Sequence, residues 1–221
     1  MDLEELKRIQ MELAGKIVLR DLVNIKDVKY VIGVDQSFLP DERVISACAL
    51  LTFPSLDLVK SSVRVEKVNF PYIPTFLMFR EGDPAVNAVR DIVNDLGEDK
   101  NRTIIVVDGS GIAHPRRCGL ASYIAIKLGM PSIGITKRKL YGKVAEPERE
   151  MQSMPIYDGN EIIGYALKSC KRCKPIYISP GSYISPQTAL ELIKKCLRKY
   201  KLPEPVRIAH NLATKAKLEM R

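Results

Sequence analysis

The stretch Val106-Val107-Asp108-Gly109-Ser110-Gly111-Ile112-Ala113-His114-Pro115-Arg116-Arg117 puts a carboxylate where an apolar run ends. Two glycines, a histidine and two arginines follow it. A carboxylate at a strand end, beside backbone free to turn tightly and with cations close by, can hold a metal against a phosphate. Residues 31–36, Val-Ile-Gly-Val-Asp-Gln, offer a second carboxylate, Asp35, in a similar apolar setting. A lone Asp in such a run would be read as facing solvent or capping a turn. Two neighbouring strands, however, can bring Asp35 and Asp108 to one point. Like charges held close raise each other's pKa unless a cation intervenes, so a divalent metal is the natural third party. Oxygen-only ligands favour Mg²⁺, with Mn²⁺ as a substitute, over zinc. The chemistry indicated is metal-assisted cleavage of a phosphodiester.

Other residues could join that chemistry. Asn69-Phe70-Pro71-Tyr72-Ile73-Pro74 restrains the backbone around one aromatic ring, so Tyr72 can stack on a base or wedge into a duplex, or pack on the core. Glu81 lies beside Gly82-Asp83-Pro84, close to an expected helix start; it is either a third carboxylate or an ordinary acid of a first helical turn. His114 reads equally as a structural hydrogen-bonding residue or a catalytic one. Arg116 and Arg117 suit phosphates, or a solvated loop. In the cluster Lys137-Arg138-Lys139, Lys137 sits nearest a strand end and so nearest any site built there. His210 follows an apolar run, where a buried histidine and a substrate-binding one are hard to separate.

The elements that must position these residues follow from periodicity. Residues 3–14 have an amphipathic helical pattern. Runs at 29–38, 43–53 and 57–68 read as strands, with Asp41-Glu42 as a tight link, which suggests an antiparallel meander. Pro84 is expected to begin a helix over about 84–96, with Gly97 as its stop. Thr103–Val107 reads as a buried strand, Gly119–Leu128 as a helix and Ile133–Ile135 as a short strand. Strands at 161–168 and 175–179, a helix from Pro186 to Tyr200 and a basic tail complete the pattern. A meander followed by strand-helix-strand units implies an α/β fold, one mixed sheet flanked by helices, with 1–221 as a single domain.

The composition is that of an ordered protein with a sizeable core: 221 residues, 46% hydrophobic and 28% charged. Thirty-five Lys and Arg against 26 Asp and Glu give a formal charge of +9, which favours a polyanionic partner without proving one. No run approaches the length of a membrane span, and the acidic start does not read as a signal peptide; a cytoplasmic location without membrane contact is expected. Five cysteines form no secreted framework. Cys170-Lys171-Arg172-Cys173 is a single CxxC without a second ligand pair, so zinc is disfavoured. The pair either forms a disulfide, most naturally in a heat-adapted organism, or stays reduced, in a structural or incidental role.

Taken together, these segments resemble endonuclease V, a family of deaminated-base repair nucleases with a ribonuclease H-like fold. The similarity spans roughly residues 5–215. It rests on Gly33-Val34-Asp35, on Pro71-Tyr72-Ile73-Pro74 with Phe79-Arg80-Glu81, and on Val107-Asp108-Gly109 through Gly119-Leu120-Ala121-Ser122. Pro131-Ser132-Ile133-Gly134-Ile135-Thr136-Lys137 and Ser179-Pro180-Gly181 continue it. The resemblance implies a mixed five-stranded central sheet flanked by helices, with further strands and helices added. It implies Asp35, Glu81 and Asp108 as metal ligands and Tyr72 as a wedge within the strip Pro71, Tyr72, Ile73 and Pro74. His114, Lys137 and His210 would support substrate or metal, and Gly111 would belong to the pocket for a flipped base. Arg116, Arg117, Lys137 and Arg138 would meet the DNA backbone.

The implied activity is Mg²⁺-dependent cleavage of the second phosphodiester bond 3′ to deoxyinosine, leaving 3′-hydroxyl and 5′-phosphate ends. Other deaminated bases or inosine-containing RNA are further substrates to consider, and no obligate protein partner is evident. Ser110, Tyr123 and Ser182 depart from common forms of the family, and the CxxC is no part of its core pattern. The alternatives are an inosine-specific endoribonuclease, another ribonuclease H-like nuclease, or a noncatalytic nucleic-acid-binding module. The last would leave the acidic residues unexplained.

Overall fold

The computed structural model describes residues 2–220. Three antiparallel strands come first: β1 (Tyr30–Phe38), β2 (Arg43–Thr52) and β3 (Leu58–Lys67). Glu42 takes a positive φ in the tight link between β1 and β2. Next, β4 (Thr103–Asp108) pairs in parallel with β1, and β5 (Ser132–Thr136) in parallel with β4. Three more strands, β6 (Ser153–Asp158), β7 (Glu161–Leu167) and β8 (Ile176–Ser182), extend the sheet antiparallel. The resulting order is β3-β2-β1-β4-β5-β8-β7-β6. The expected five-stranded mixed sheet is thus the half β3-β2-β1-β4-β5, and β8, β7 and β6 are the addition.

Alternation along the central strands builds two cores. Val31, Ile104 and Val106 face one side, where α4 (Pro186–Cys196) and α5 (Glu204–Glu219) cover the sheet. Ile32, Val34, Ile105 and Val107 face the other, under α2 (Leu77–Val93) and α3 (Leu120–Leu128). Period-2 alternation of β-branched residues therefore buries both faces, as parallel strands require. The first helix, α1 (Leu3–Ala14), capped by the Asp2 side chain, lies at the outer side of α3.

Three expectations need correction. The helix expected to begin at Pro84 begins at Leu77, so Pro84 lies inside it and Glu81 in its second turn. The missing Pro84 N–H takes the helical donor from the Arg80 carbonyl; at the next residue, Gln36 on β1 donates from Nε2 to the Glu81 carbonyl at 3.0 Å. The helix from Pro186 ends at Cys196 rather than Tyr200, and the expected basic tail is α5. Strand β6 was not anticipated: it is an edge strand containing Pro155, where a lost N–H is tolerated.

α5 is seated by a glycine. A Cβ on Gly33 would lie 1.9 Å from the Pro205 carbonyl oxygen, so backbone packs on backbone where α5 crosses β1. Gly33→Ala is expected to cost about 3 kcal/mol in denaturant unfolding, because neither backbone can yield. Undiminished stability would show that α5 does not rest on this contact.

Candidate active site

β1 and β4 run side by side with Val34 level with Val107, so Asp35, within β1, and Asp108, the last residue of β4, follow on neighbouring strands at the same level of the sheet. Asp35 is 7% exposed. Burial, and then the Asp108 charge, raise its pKa, against the Gln36 N–H and a hydrogen bond from His210. His210 Nδ1 donates to Asp35 Oδ2 at 2.7 Å, which fixes the tautomer, and the ring is half exposed on α5. Glu81 arrives from α2, 6% exposed. Burial, with Asp35 and Asp108 adding to it against the opposing Arg80 charge, pushes its pKa up to about 8. Lys137, just past β5, places Nζ 2.7 Å from Asp108 Oδ2. Burial works against the Lys137 charge, yet the Asp108 attraction and hydrogen bond prevail and its pKa is raised.

Three carboxylates, two of them buried and each within reach of the others' charge, form a donor set suited to a hard divalent cation. Among the described residues, no three His, Cys, Asp or Glu side chains are already gathered at metal-binding distances. Lys137 and His210 each hold one oxygen of Asp108 and Asp35. Glu81, by contrast, faces only the Arg80 charge as an opposing influence. The residues present therefore fit a cation that displaces or joins these donors.

Beside the carboxylates lies a cavity of about 520 Å³, with Glu81, Asp108, Ser110, Lys137 and Arg138 on its wall and Tyr72 at its margin. Tyr72 is 64% exposed, and Pro71 and Pro74 beside it are exposed while Ile73 is half-buried. The strip ends at Thr75, which takes φ 70, a strained value for a β-branched residue. Its carbonyl accepts from Gln10 Nε2 at 3.1 Å, His114 Nε2 at 2.9 Å and Arg116 Nη2 at 2.8 Å. Arg116 also donates to Thr75 Oγ1 and Gln10 Oε1 and lies over the Phe76 ring. Gln10, 1% exposed, further donates to the Cys118 carbonyl. The strip is thereby clamped to the loop that follows Asp108.

Several expected contacts take other forms. Arg116 is spent on that clamp rather than left free for phosphate. Arg117 pairs with Asp158 and Glu161, tying the same loop to the β6–β7 hairpin. Gly111 lies behind the cavity, because its N–H donates to Ser179 Oγ and a Cβ would meet the Pro180 carbonyl at 2.1 Å. Gly109 and Ser110 form the wall instead. His114 is 2% exposed; its Nε2–H donates to Thr75 and its Nδ1 accepts from the Arg116 N–H, so it positions the strip and holds no free nitrogen for proton transfer. Gln10 carried no signal in the sequence beyond a polar residue on the apolar side of α1. Tyr123 on α3 packs where Gly82 leaves room and donates to Asp83, which locks α2, and so Glu81, against α3.

Comparison with known proteins agrees with this geometry. A family model described as Endonuclease V matches residues 11–211. The Endonuclease V of Archaeoglobus fulgidus is 60% identical over 220 residues, covering all of this chain and 96% of that protein. The crystal structure of human ENDOV superposes with a TM-score of 0.89 at 27% identity, covering 99% of both chains. The Endonuclease V of Ciona intestinalis, solved with a 24mer DNA containing an inosine followed by a ribo-adenosine, superposes with a TM-score of 0.85 at 25% identity, again over 99% of both chains.

Burial holds the His114 pKa down at about 4, with the Arg116 charge acting the same way against the Thr75 hydrogen bond. An unfolded histidine titrates near 6.5, so between about pH 4 and 6.5 the unfolded chain binds the extra proton. Stability attributable to His114 is therefore full above pH 6.5 and falls by about 3 kcal/mol as the pH drops to 4. His114→Gln keeps a donor and an acceptor without titrating. Unfolding free energies measured across that window should fall less steeply for the variant; equal slopes would contradict the assignment.

Proposed function

This chain belongs to the endonuclease V family, and from that premise we propose that it is a divalent-metal-dependent endonuclease acting at deoxyinosine in DNA. The bond cut is the second phosphodiester 3′ to the lesion, leaving 3′-hydroxyl and 5′-phosphate ends. The observation that carries this reading is one site in which buried Asp35 and Glu81 meet Asp108 and Lys137, beside a cavity with an exposed tyrosine at its margin. The Ciona protein's complex with inosine-containing DNA supports the substrate class. A ribonucleotide follows the inosine in that complex, so inosine-containing RNA is the second substrate to assay.

Asp35, Glu81 and Asp108 would hold the cation, Mg²⁺ by the chemistry of their oxygens. The chemistry such a cation supplies is activation of water and neutralisation of charge on the scissile phosphate. The chain's own residues provide the rest. The Asp35–His210 hydrogen bond fixes the carboxylate's orientation. Lys137 brings a fixed positive charge to the Asp108 side of the site, where a phosphate's developing charge would be stabilised. A nucleobase drawn out of the stack fits the cavity volume, and the Tyr72 ring can fill the space it leaves. Clamping Thr75 ensures that this ring is presented at little entropic cost.

Asp35→Ala and Asp108→Ala are expected to lower inosine-duplex cleavage by about a thousandfold or more while keeping the fold. Wild-type turnover in either would remove that carboxylate from the site. EDTA should abolish cleavage and Mg²⁺ restore it. Tyr72→Ala should raise KM by about tenfold, since loss of stacking weakens lesion engagement. An unchanged KM would remove the wedge.

A further inference from the structure

The basic charge of this chain is concentrated in one region. Residues 162–203 carry nine Lys or Arg and one acid, Glu191, against a formal charge of +9 for the whole chain. Four of those cations, Lys168, Lys171, Arg172 and Lys174, fall in the link between β7 and β8, which holds no acid. Lys171, Arg172 and Lys174 are exposed. Among the described residues, none of the four makes an ion pair.

Register fixes where this link lies. Thr136 at the end of β5 pairs with Tyr177, and Leu167 at the end of β7 pairs with Ile176. Residues 168–175 therefore leave the sheet at the edge from which Lys137 and the carboxylates emerge. Ser169 Oγ donates to the Lys201 carbonyl at 2.6 Å, joining the link to the segment before α5, where Arg198, Lys199 and Lys201 add charge. Lys201 is close enough to Lys137 and Lys174 that, after burial, their repulsion lowers its pKa. A row of like charges thus runs from the site to the link. Ordinary soluble surfaces intersperse both signs, so a one-signed row beside a nuclease centre calls for an external polyanion. Cys170 and Cys173 are bonded and the Cys173 N–H donates to the Cys170 carbonyl, which holds Lys171 and Arg172 in a closed turn.

We propose that the disulfide-closed link Lys168–Lys174 is a phosphate-binding site for the nucleic-acid backbone flanking the cleaved bond, with the Cys170–Cys173 bond bracing its charges. The inference rests on the function proposed above for the identity of the polyanion. It adds a contact on the β8 side of the carboxylates, apart from the Tyr72 strip, which is clamped to the loop after β4. Contacts of this kind fix position without reading sequence.

The test compares wild type with the triple variant Lys171→Ala/Arg172→Ala/Lys174→Ala and with a control of equal charge, Lys26→Ala/Lys215→Ala/Lys217→Ala. Binding of inosine-containing and undamaged duplexes is measured across a range of NaCl with EDTA present, and cleavage is measured with Mg²⁺. The link variant should raise Kd about tenfold for both duplexes and lower the slope of log Kd against log salt by about 0.9 per lost contact, with kcat at saturation unchanged. A wild-type slope, or an equal loss in the control, would overturn the proposal. Cys170→Ser/Cys173→Ser should keep the slope and raise Kd a few-fold through lost preorganisation; an unchanged Kd would overturn the bracing role. Should the wild type fail to cleave inosine duplexes, the proposed function fails instead, and the undamaged-duplex slopes still decide the link.

Discussion

Carboxylates taken out of water and set within reach of one another cannot all remain ionised without a cation, and the rest of this architecture serves that constraint. Asp35 and Asp108 are brought together because β1 and β4 pair in parallel with Val34 level with Val107, which sets the residue after each on neighbouring strands at one level. Glu81 comes from a different layer, on a helix held to β1 through Gln36 and to α3 through Tyr123. Burial raises the pKa of Asp35 and Glu81 alike. Lys137 and His210 offset part of that cost by engaging Asp108 and Asp35. The site is thereby organised around charge that a hard cation would complete.

A second organising point is the Thr75 carbonyl. Gln10 from the first helix, His114 and Arg116 from the loop after β4, and the strained Thr75 backbone meet within hydrogen-bonding distance. The same loop carries Asp108 at its start and, through Arg117, reaches the hairpin at the far side of the sheet. Carboxylate edge, cavity wall and aromatic strip are consequently parts of one hydrogen-bonded unit. That coupling explains why His114 and Arg116 turn toward Thr75 while Arg117 turns to the hairpin: their donors hold the geometry of the loop.

Much of this was legible in the sequence, for reasons that differ by element. The strands announced themselves because β-branched runs end in Asp35 and Asp108, and a charged residue closing an apolar run is costly enough to be informative. α5 was not legible. Its buried side includes Val206, Ala209, Ala213 and Ala216, and small alanines give little hydrophobic contrast. Pro203 and Pro205 stand at the start of α5, where a missing N–H costs no helical hydrogen bond. Pro84 misled, read as a first-turn residue when it lies inside α2. The direction of Arg116 was beyond reach, since its partner Gln10 lies 106 residues away and periodicity carries no record of such a pairing.

The aromatic strip and the cation-rich link also occupy different places beside the carboxylates. The strip bearing Tyr72 is clamped to the loop after β4 and borders the cavity that Lys137 and Arg138 also line, and the cation-rich link joins β7 to β8. Stacking by an aromatic ring discriminates a base that leaves the helix readily, whereas cations fix the backbone whatever its sequence. On the function proposed above, lesion sensing would depend on one exposed ring while affinity would depend on many weak phosphate contacts. A nuclease that must sample long stretches of undamaged nucleic acid is served by that division, because the general contacts can be made everywhere and the specific one only where a base yields.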